Sequence, residues 1–461
     1  MFGFKYSFIP KNKLKDSIKK ITIIEIVLIQ ICLFYCFIFG DINSTTNHGI
    51  LLLDCIYEGK IRSFYDIAVQ RYVPAYYDFA IYIIFAIWDF PLWVAQKSGF
   101  PGSPFGYIWG MLWAKTIVLF FAFVCLYYMW KILSLDGRYR KYDLLFLFST
   151  DILITAGLCI MGQYDIITVS FVMAGLYYYL KGDNKKFILA FAIAIPIKAF
   201  AFLLFCPLLV QREKKLPRII FNIILVVIPI ILLRLAVPMS VKQNQMIVLY
   251  LGKFLDNFFV VSNGRISIFV VSYLILLVYC YVHTFKDILY SSIVTAAFVF
   301  AIFLLFSNPH PQWWVYVAPF IVLLVLLNNG SNVAQQMLSI IGEFAILLQL
   351  IRGYFWAFSP VNLQWGLLKY VIPIDPSYVN GPANMFNAFS LKTTINEVYI
   401  LEIATSIGFV CLGFFLFLCT KRNLITSKLI NSQNNVVFVS CLRPLLVIFA
   451  YALIFLQLKY V

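Results

Sequence analysis

Long apolar runs follow one another through this chain with only short polar breaks between them. They lie at about 21–40, 107–131, 143–161, 164–181, 217–237, 265–283, 288–307, 313–328, 335–352, 396–419 and 441–458. A helical crossing of a bilayer takes roughly 20 apolar residues, and no water-soluble domain can bury so many runs of that length. Composition agrees, with 62% hydrophobic and 12% charged residues against roughly a quarter charged in an ordinary globular chain. The sequence therefore predicts an all-α, polytopic transmembrane helical bundle, with enough apolar residues for about 11–14 membrane segments.

The formal charge of +16, from 36 basic and 20 acidic side chains, reports topology rather than nucleic-acid binding. The basic residues cluster between apolar runs, where cytoplasmic loops collect them. The clusters are Lys131 with Arg138, Arg140 and Lys141; Lys181 with Lys185 and Lys186; Arg212 with Lys214, Lys215 and Arg218; and Lys421 with Arg422 and Lys428. Lys5, Lys11, Lys13, Lys15, Lys19 and Lys20 precede the run 21–40, which reads as a retained first helix with a cytoplasmic N-terminus. Residues 41–75 then form a polar outer loop carrying Asp41, Asp54, Glu58 and Asp66, and loops of that length in a compact bundle are usually functional. Ten scattered cysteines contain no CxxC and no Cys/His cluster, so neither a disulfide framework nor a structural zinc is expected.

Two segments break the simple alternation. A full crossing by 77–97 would leave the Arg138 cluster on the wrong side, so this segment reads as a half-inserted or interfacial helix on the outer face, with Lys115 near the outer end of the next span. The segment 187–210 has basic runs on both flanks and Pro196 and Lys198 in its middle. Two half-length helices in a re-entrant hairpin satisfy the charge rule, and such irregular backbone is tolerated in a membrane only where it is buried in protein or lines water. The chain then divides into residues 1–330, with the outer loop 41–75, and residues 331–461, additional helices with an outer loop at 353–395. No internal repeat is evident.

Ionisable groups at membrane depth are costly and are functional candidates by default. On this topology Asp41, His48, Asp54, the Gly162-Gln163-Tyr164-Asp165 corner, Lys198 and the Asn308-Pro309-His310-Pro311-Gln312 turn share the outer side. Asp41 suits a general base at a rigid helix end, or else is a solvated acid. His48 and Asp54 either orient a substrate or face water. The Gly162–Asp165 corner lines a pocket or is an ordinary helix–helix turn. Lys198 needs an anionic partner, either a phosphate or a structural ion pair with Asp151 or Asp165. Trp313 and Trp314 fit an interfacial aromatic belt or stack on a sugar. Asn43-Ser44-Thr45 matches a glycosylation acceptor that has meaning only in a secretory-pathway host. The first loop has no D-x-D, so a divalent cation is not supported by pattern.

Taken in order, several stretches resemble the GT-C superfamily of integral-membrane glycosyltransferases, particularly its mannosyltransferase-like branches. They are Asp41 followed by Glu58-Gly59, Tyr72-Val73-Pro74, the MGQYD corner at 161–165, the 188–210 segment ending in basic QREKK, and NPHPQWWVYVAPF at 308–320. The resemblance covers about residues 20–330. It implies a GT-C-type bundle that transfers a hexosyl or pentosyl unit, with inversion, from a polyprenyl-phosphate sugar to a glycan or lipid-linked acceptor. It further implies Asp41 as base, Lys198 with Lys115 as ligands of the donor phosphate, and His48, Asp54, Gln163, Asp165, His310 and Gln312 around the sugar and acceptor. The expected setting is a bacterial plasma membrane, or an endoplasmic reticulum membrane in a eukaryote, with the site on the outer or lumenal face and membrane lipid as a partner.

Two other readings stay open at this stage. A lipid or sugar flippase or transporter would also place a lysine in a broken helix, but predicts repeat-related breaks in both halves. A polysaccharide polymerase or ligase would carry a large late outer loop, for which 353–395 is the candidate.

Overall fold

The computed structural model describes residues 13–71, 75–98, 106–137, 141–252, 257–261, 264–307, 310–328, 333–353, 363–367, 397–420 and 441–452. These residues are mostly helical. Four helices are long and apolar enough to cross a membrane: Trp109–Leu135, Leu216–Ala236, Ile288–Phe306 and Glu402–Thr420. Two bent pairs raise the number to six if each is one span, Phe79–Trp88 with Phe90–Lys97 at 63° and Lys141–Ser149 with Ile152–Ile160 at 58°. Among the described residues, four to six of the expected 11–14 membrane segments are thus long and apolar enough for a full crossing. Several apolar runs instead form helices of 10–17 residues, including Ala201–Arg212, Ile268–Val282 and Cys441–Ala452. Run length overcounts spans because one polar residue inside a run can end a helix. Asp151 does so within 143–161, where its side chain accepts the N–H of Ile154 and starts a new helix.

By packing, the chain forms two compact units that interleave along the sequence. One gathers Met1–Phe39, Leu133–Gly162 and His310–Val461, and the other Gly40–Ile132 and Gln163–Pro309. In the first, the initial helix covers Lys13–Phe34 and ends before the expected 40. The chain then enters a short strand, Phe37–Phe39, paired antiparallel with Leu363–Trp365. Helices Val333–Gly353 and Glu397–Thr420 pack closely through small residues. A Cβ on Gly342 would lie 3.2 Å from that of Cys411, and one on Gly408 3.1 Å from Ile346 Cγ1, the small-residue packing usual where lipid supplies no hydrophobic drive. Gln30 ties this unit together by donating to the Ser149 carbonyl at 2.8 Å and accepting from the Tyr451 hydroxyl at 3.1 Å.

The second unit corrects the loop expectation for 41–75. Gly40–Tyr57 is an 18-residue helix, Ile61–Ser63 a 3-10 turn and Phe64–Arg71 another helix. The helical face is Ile42, Thr45, Thr46, His48, Gly49, Leu51, Leu52 and Cys55, all buried. Its spacing is helical, but Thr45, Thr46 and His48 interrupt the apolar positions, so an apolar periodicity hardly registers. Gly49 lets this helix meet Phe79–Trp88 directly, since a Cβ there would lie 3.0 Å from backbone atoms of Phe85 and Ala86. The segment 187–210 divides where Pro196 and Lys198 predict, into helices Asn184–Ile197 and Ala201–Arg212, with Lys198 extended at φ −156°. Lys214 fastens the end of the second of these by donating to the carbonyls of Val210, Cys280 and Tyr281. Helix Leu216–Ala236 turns Leu216, Phe221, Leu232 and Leu235 outward, each more than half exposed, as lipid-facing residues are and a water-soluble surface is not.

Candidate functional site

Three separate stretches of the second unit bring polar side chains together in an apolar interior. Asp41 stands in the first turn of helix Gly40–Tyr57, where the exposed N–H groups of a helix start favour negative charge. Gly162, at φ 62°, makes the corner that sets Gln163 and Asp165 at the start of helix Asp165–Lys181. The extended Lys198 supplies the cation. Gln163 Nε2 donates to Asp41 Oδ2 at 2.5 Å, and Lys198 Nζ meets Asp165 Oδ1 at 2.6 Å. Gln163 and Asp165 are buried, at 1% and 0% exposed, and the Lys198 side chain keeps 11%.

Rings complete the surroundings of the ammonium. Lys198 Nζ lies 5.4, 5.2 and 5.6 Å from the ring centroids of Tyr77, Tyr164 and Phe200, within cation–π range. Asp41 lies outside every candidate span. Burial pushes its carboxyl above the usual aspartate range, the Gln163 amide and Lys198 draw it partly back, and Asp165 adds to the rise. A carboxylate with raised proton affinity, fixed by an amide donor, is suited to accept a proton from a hydroxyl.

The other expected site residues have their own surroundings. His48 is buried against Tyr82, edge to face at 5.4 Å between centroids. Asp54 lies about 20 Å beyond Asp41 along one helix at 1.5 Å per residue, in a surface cluster. There it accepts from Trp93 Nε1 at 2.9 Å and pairs with Lys97 at 2.9 Å and Arg71 at 4.0 Å. Burial raises its pKa, but the Trp93 and Lys97 hydrogen bonds and both cations outweigh that and hold the carboxyl below its usual range. Lys115 is wholly buried within helix Gly106–Leu135. His310 and Gln312 belong to the first unit, with His310 edge to face with Trp313 at 5.0 Å and Gln312 buried. Tyr72, Val73, Pro74, Asn308 and Pro309, the clusters at 138–140 and 421–428 and most of 353–395 lie outside the described residues.

Sequence reasoning missed several buried polar groups. Half-buried Tyr77 gives no signal beyond being an aromatic neighbour of polar residues, and Tyr164 belongs to the expected corner without a role of its own there. Asp89 is fully buried at the bend of the first pair, and its only mark was a lone acid in an apolar run. In the first unit Arg443 donates to both Glu343 oxygens, at 3.2 and 3.3 Å, and to Ser339 Oγ at 2.6 Å. Asp151 is an electrostatic neighbour of that pair. Among the described residues no group of three or more His, Cys, Asp and Glu side chains is gathered for a metal ion. No family model, no curated protein and no solved structure matches the chain.

Proposed function

We propose that this membrane protein is a glycosyltransferase that moves a sugar from a polyprenyl-phosphate donor to an acceptor hydroxyl on the outer face of the membrane, as the GT-C resemblance implies. The observation that carries the reading is the Asp41–Gln163–Asp165–Lys198 constellation beside a helix break. Asp41 takes the proton of the acceptor hydroxyl as the new glycosidic bond forms. The bond from the anomeric carbon to the phosphate oxygen breaks on the opposite side, and the phosphate leaves with the electron pair, so the anomeric centre inverts. Gln163 holds Asp41 in line through its amide. Lys198 offers a cation to the leaving phosphate by turning from Asp165, whose carboxylate holds the ammonium in place until donor arrives.

A lipid-linked donor suits such a site because its charge resides at the interface and its chain in the bilayer, whereas nucleotide sugars are cytoplasmic. The test is transfer from a panel of polyprenyl-phosphate sugars by the purified protein in nanodiscs. Asp41→Asn should slow transfer at least 100-fold while donor binding persists. Wild-type transfer by that variant would remove the base assignment, and no transfer by the wild-type protein from any donor of the panel would remove the reading.

A further inference from the structure

A second polar site lies where helices Phe79–Trp88 and Phe90–Lys97 meet at 63°. Asp89 occupies the break and is 0% exposed. Its main chain is satisfied, with the N–H donating to Phe85 O at 2.8 Å and the carbonyl accepting from Trp93 N at 3.0 Å. Its side chain is not. Neither carboxylate oxygen has a hydrogen-bond partner among the described residues, and the polar group acting on it is the Thr46 hydroxyl. Thr46 is also 0% exposed, and its hydroxyl has the Asp89 carboxyl as its polar neighbour.

The placement follows from packing. Gly49 brings helix Gly40–Tyr57 against the backbone of Phe85 and Ala86. One turn earlier on that helix is Thr46, and one turn later on the other is Asp89, so the two belong to the same seam. An ionised carboxylate buried without a counter-charge is among the least tolerable arrangements in a protein. Its single charge is balanced by a single positive charge, whereas a divalent ion would leave a buried surplus. Carboxylate and hydroxyl oxygens are hard donors suited to hard cations. Broken membrane helices hold sodium by this means, combining side-chain oxygens with the carbonyls that a half-helix leaves free at its C-terminal end.

We propose that Asp89 and Thr46 form a binding site for a small monovalent cation, with sodium as the ion. The site is separate from the proposed sugar transfer and does not depend on it. The experiment is thermal unfolding of the full-length protein in nanodiscs, in sodium chloride against choline chloride at equal ionic strength, together with radiolabelled sodium binding. Sodium should raise the wild-type Tm by a few degrees near 100-fold saturation. Asp89→Asn should abolish the shift, Thr46→Val should weaken sodium binding about tenfold or more, and Thr46→Ser should retain it. Identical wild-type melting in the two salts would overturn the proposal, as would a sodium response surviving in Asp89→Asn. An Asp89→Asn protein that melts higher than a sodium-insensitive wild type would also overturn it, by showing that a proton occupies the carboxyl. Should Asp89→Asn fail to fold, equal sodium responses of Thr46→Val and Thr46→Ser would overturn it too.

Discussion

Replacing Lys198 by methionine separates the two roles that its position allows, stabilising partner of Asp165 and ligand of a phosphate. The side chain it leaves behind, Asp165, is 0% exposed and meets the ammonium at 2.6 Å, and Lys198 also acts electrostatically on half-buried Asp41. Removing one member of such a pair strands a buried charge and typically costs about 3–5 kcal/mol. Removing both with apolar groups of similar size is often close to neutral. Lys198→Met should therefore lower unfolding stability by about 3–5 kcal/mol, and Lys198→Met with Asp165→Leu should recover most of the loss. The coupling between the sites should be at the upper end of the 0.5–3 kcal/mol seen for residues in contact. Denaturant unfolding in mixed micelles provides the four corners of the cycle. If Lys198→Met unfolds like the wild type, the ion pair contributes nothing and the reasoning fails. If the recovered double variant still binds a polyprenyl-phosphate sugar at wild-type affinity, Lys198 is not the phosphate ligand.

Four further outcomes follow from Asp41, Arg443 and Gly49. Because burial raises the Asp41 pKa, its favourable contribution is complete below its unfolded value and is lost as pH rises through the folded one. Asp41→Asn should thus gain stability relative to wild type at pH 7 and lose that gain toward pH 4, and parallel melting-temperature profiles would refute this. Sugar transfer should decline, as pH falls, at a higher pH than an ordinary aspartate would give. Arg443→Met should cost about 3–5 kcal/mol, since it leaves Glu343, 2% exposed, without its guanidinium, while Arg443→Met with Glu343→Leu recovers most of it; denaturant unfolding of both checks this. Gly49→Ala should cost about 1–3 kcal/mol, because its methyl would meet backbone of Phe85 and Ala86 at 3.0 Å, and unchanged unfolding would show that the two helices separate freely.

The parts of this site visible in the sequence are those where local chemistry contradicts its setting. Pro196 and Lys198 inside an apolar run announce a break, and a break is there. Gln163 and Asp165 stood out because no linker separates the helical segments beside them. The helix Gly40–Tyr57 was hidden by its own contents, since Thr45, Thr46 and His48 are buried yet read as loop. Had it been recognised, the rise per residue would already have put Asp54 beyond reach of Asp41. Pairings such as Arg443 with Glu343, 100 residues apart, leave no local trace, because what makes the charge tolerable is the partner and not the flanking residues. Asp151 is legible only as a possible partner of Lys198, a place that Asp165 takes, while its part as the start of a new helix is not.

Tyr451 reaches Gln30 across 421 positions of sequence. At a ribosomal pace of 5–20 residues per second, the opening helix waits roughly 20–80 s for that hydroxyl. During synthesis its amide oxygen must find interim company from water, lipid headgroups or the insertion machinery. A lesion in helix Cys441–Ala452 would accordingly reach both Gln30, through Tyr451, and Glu343, through Arg443.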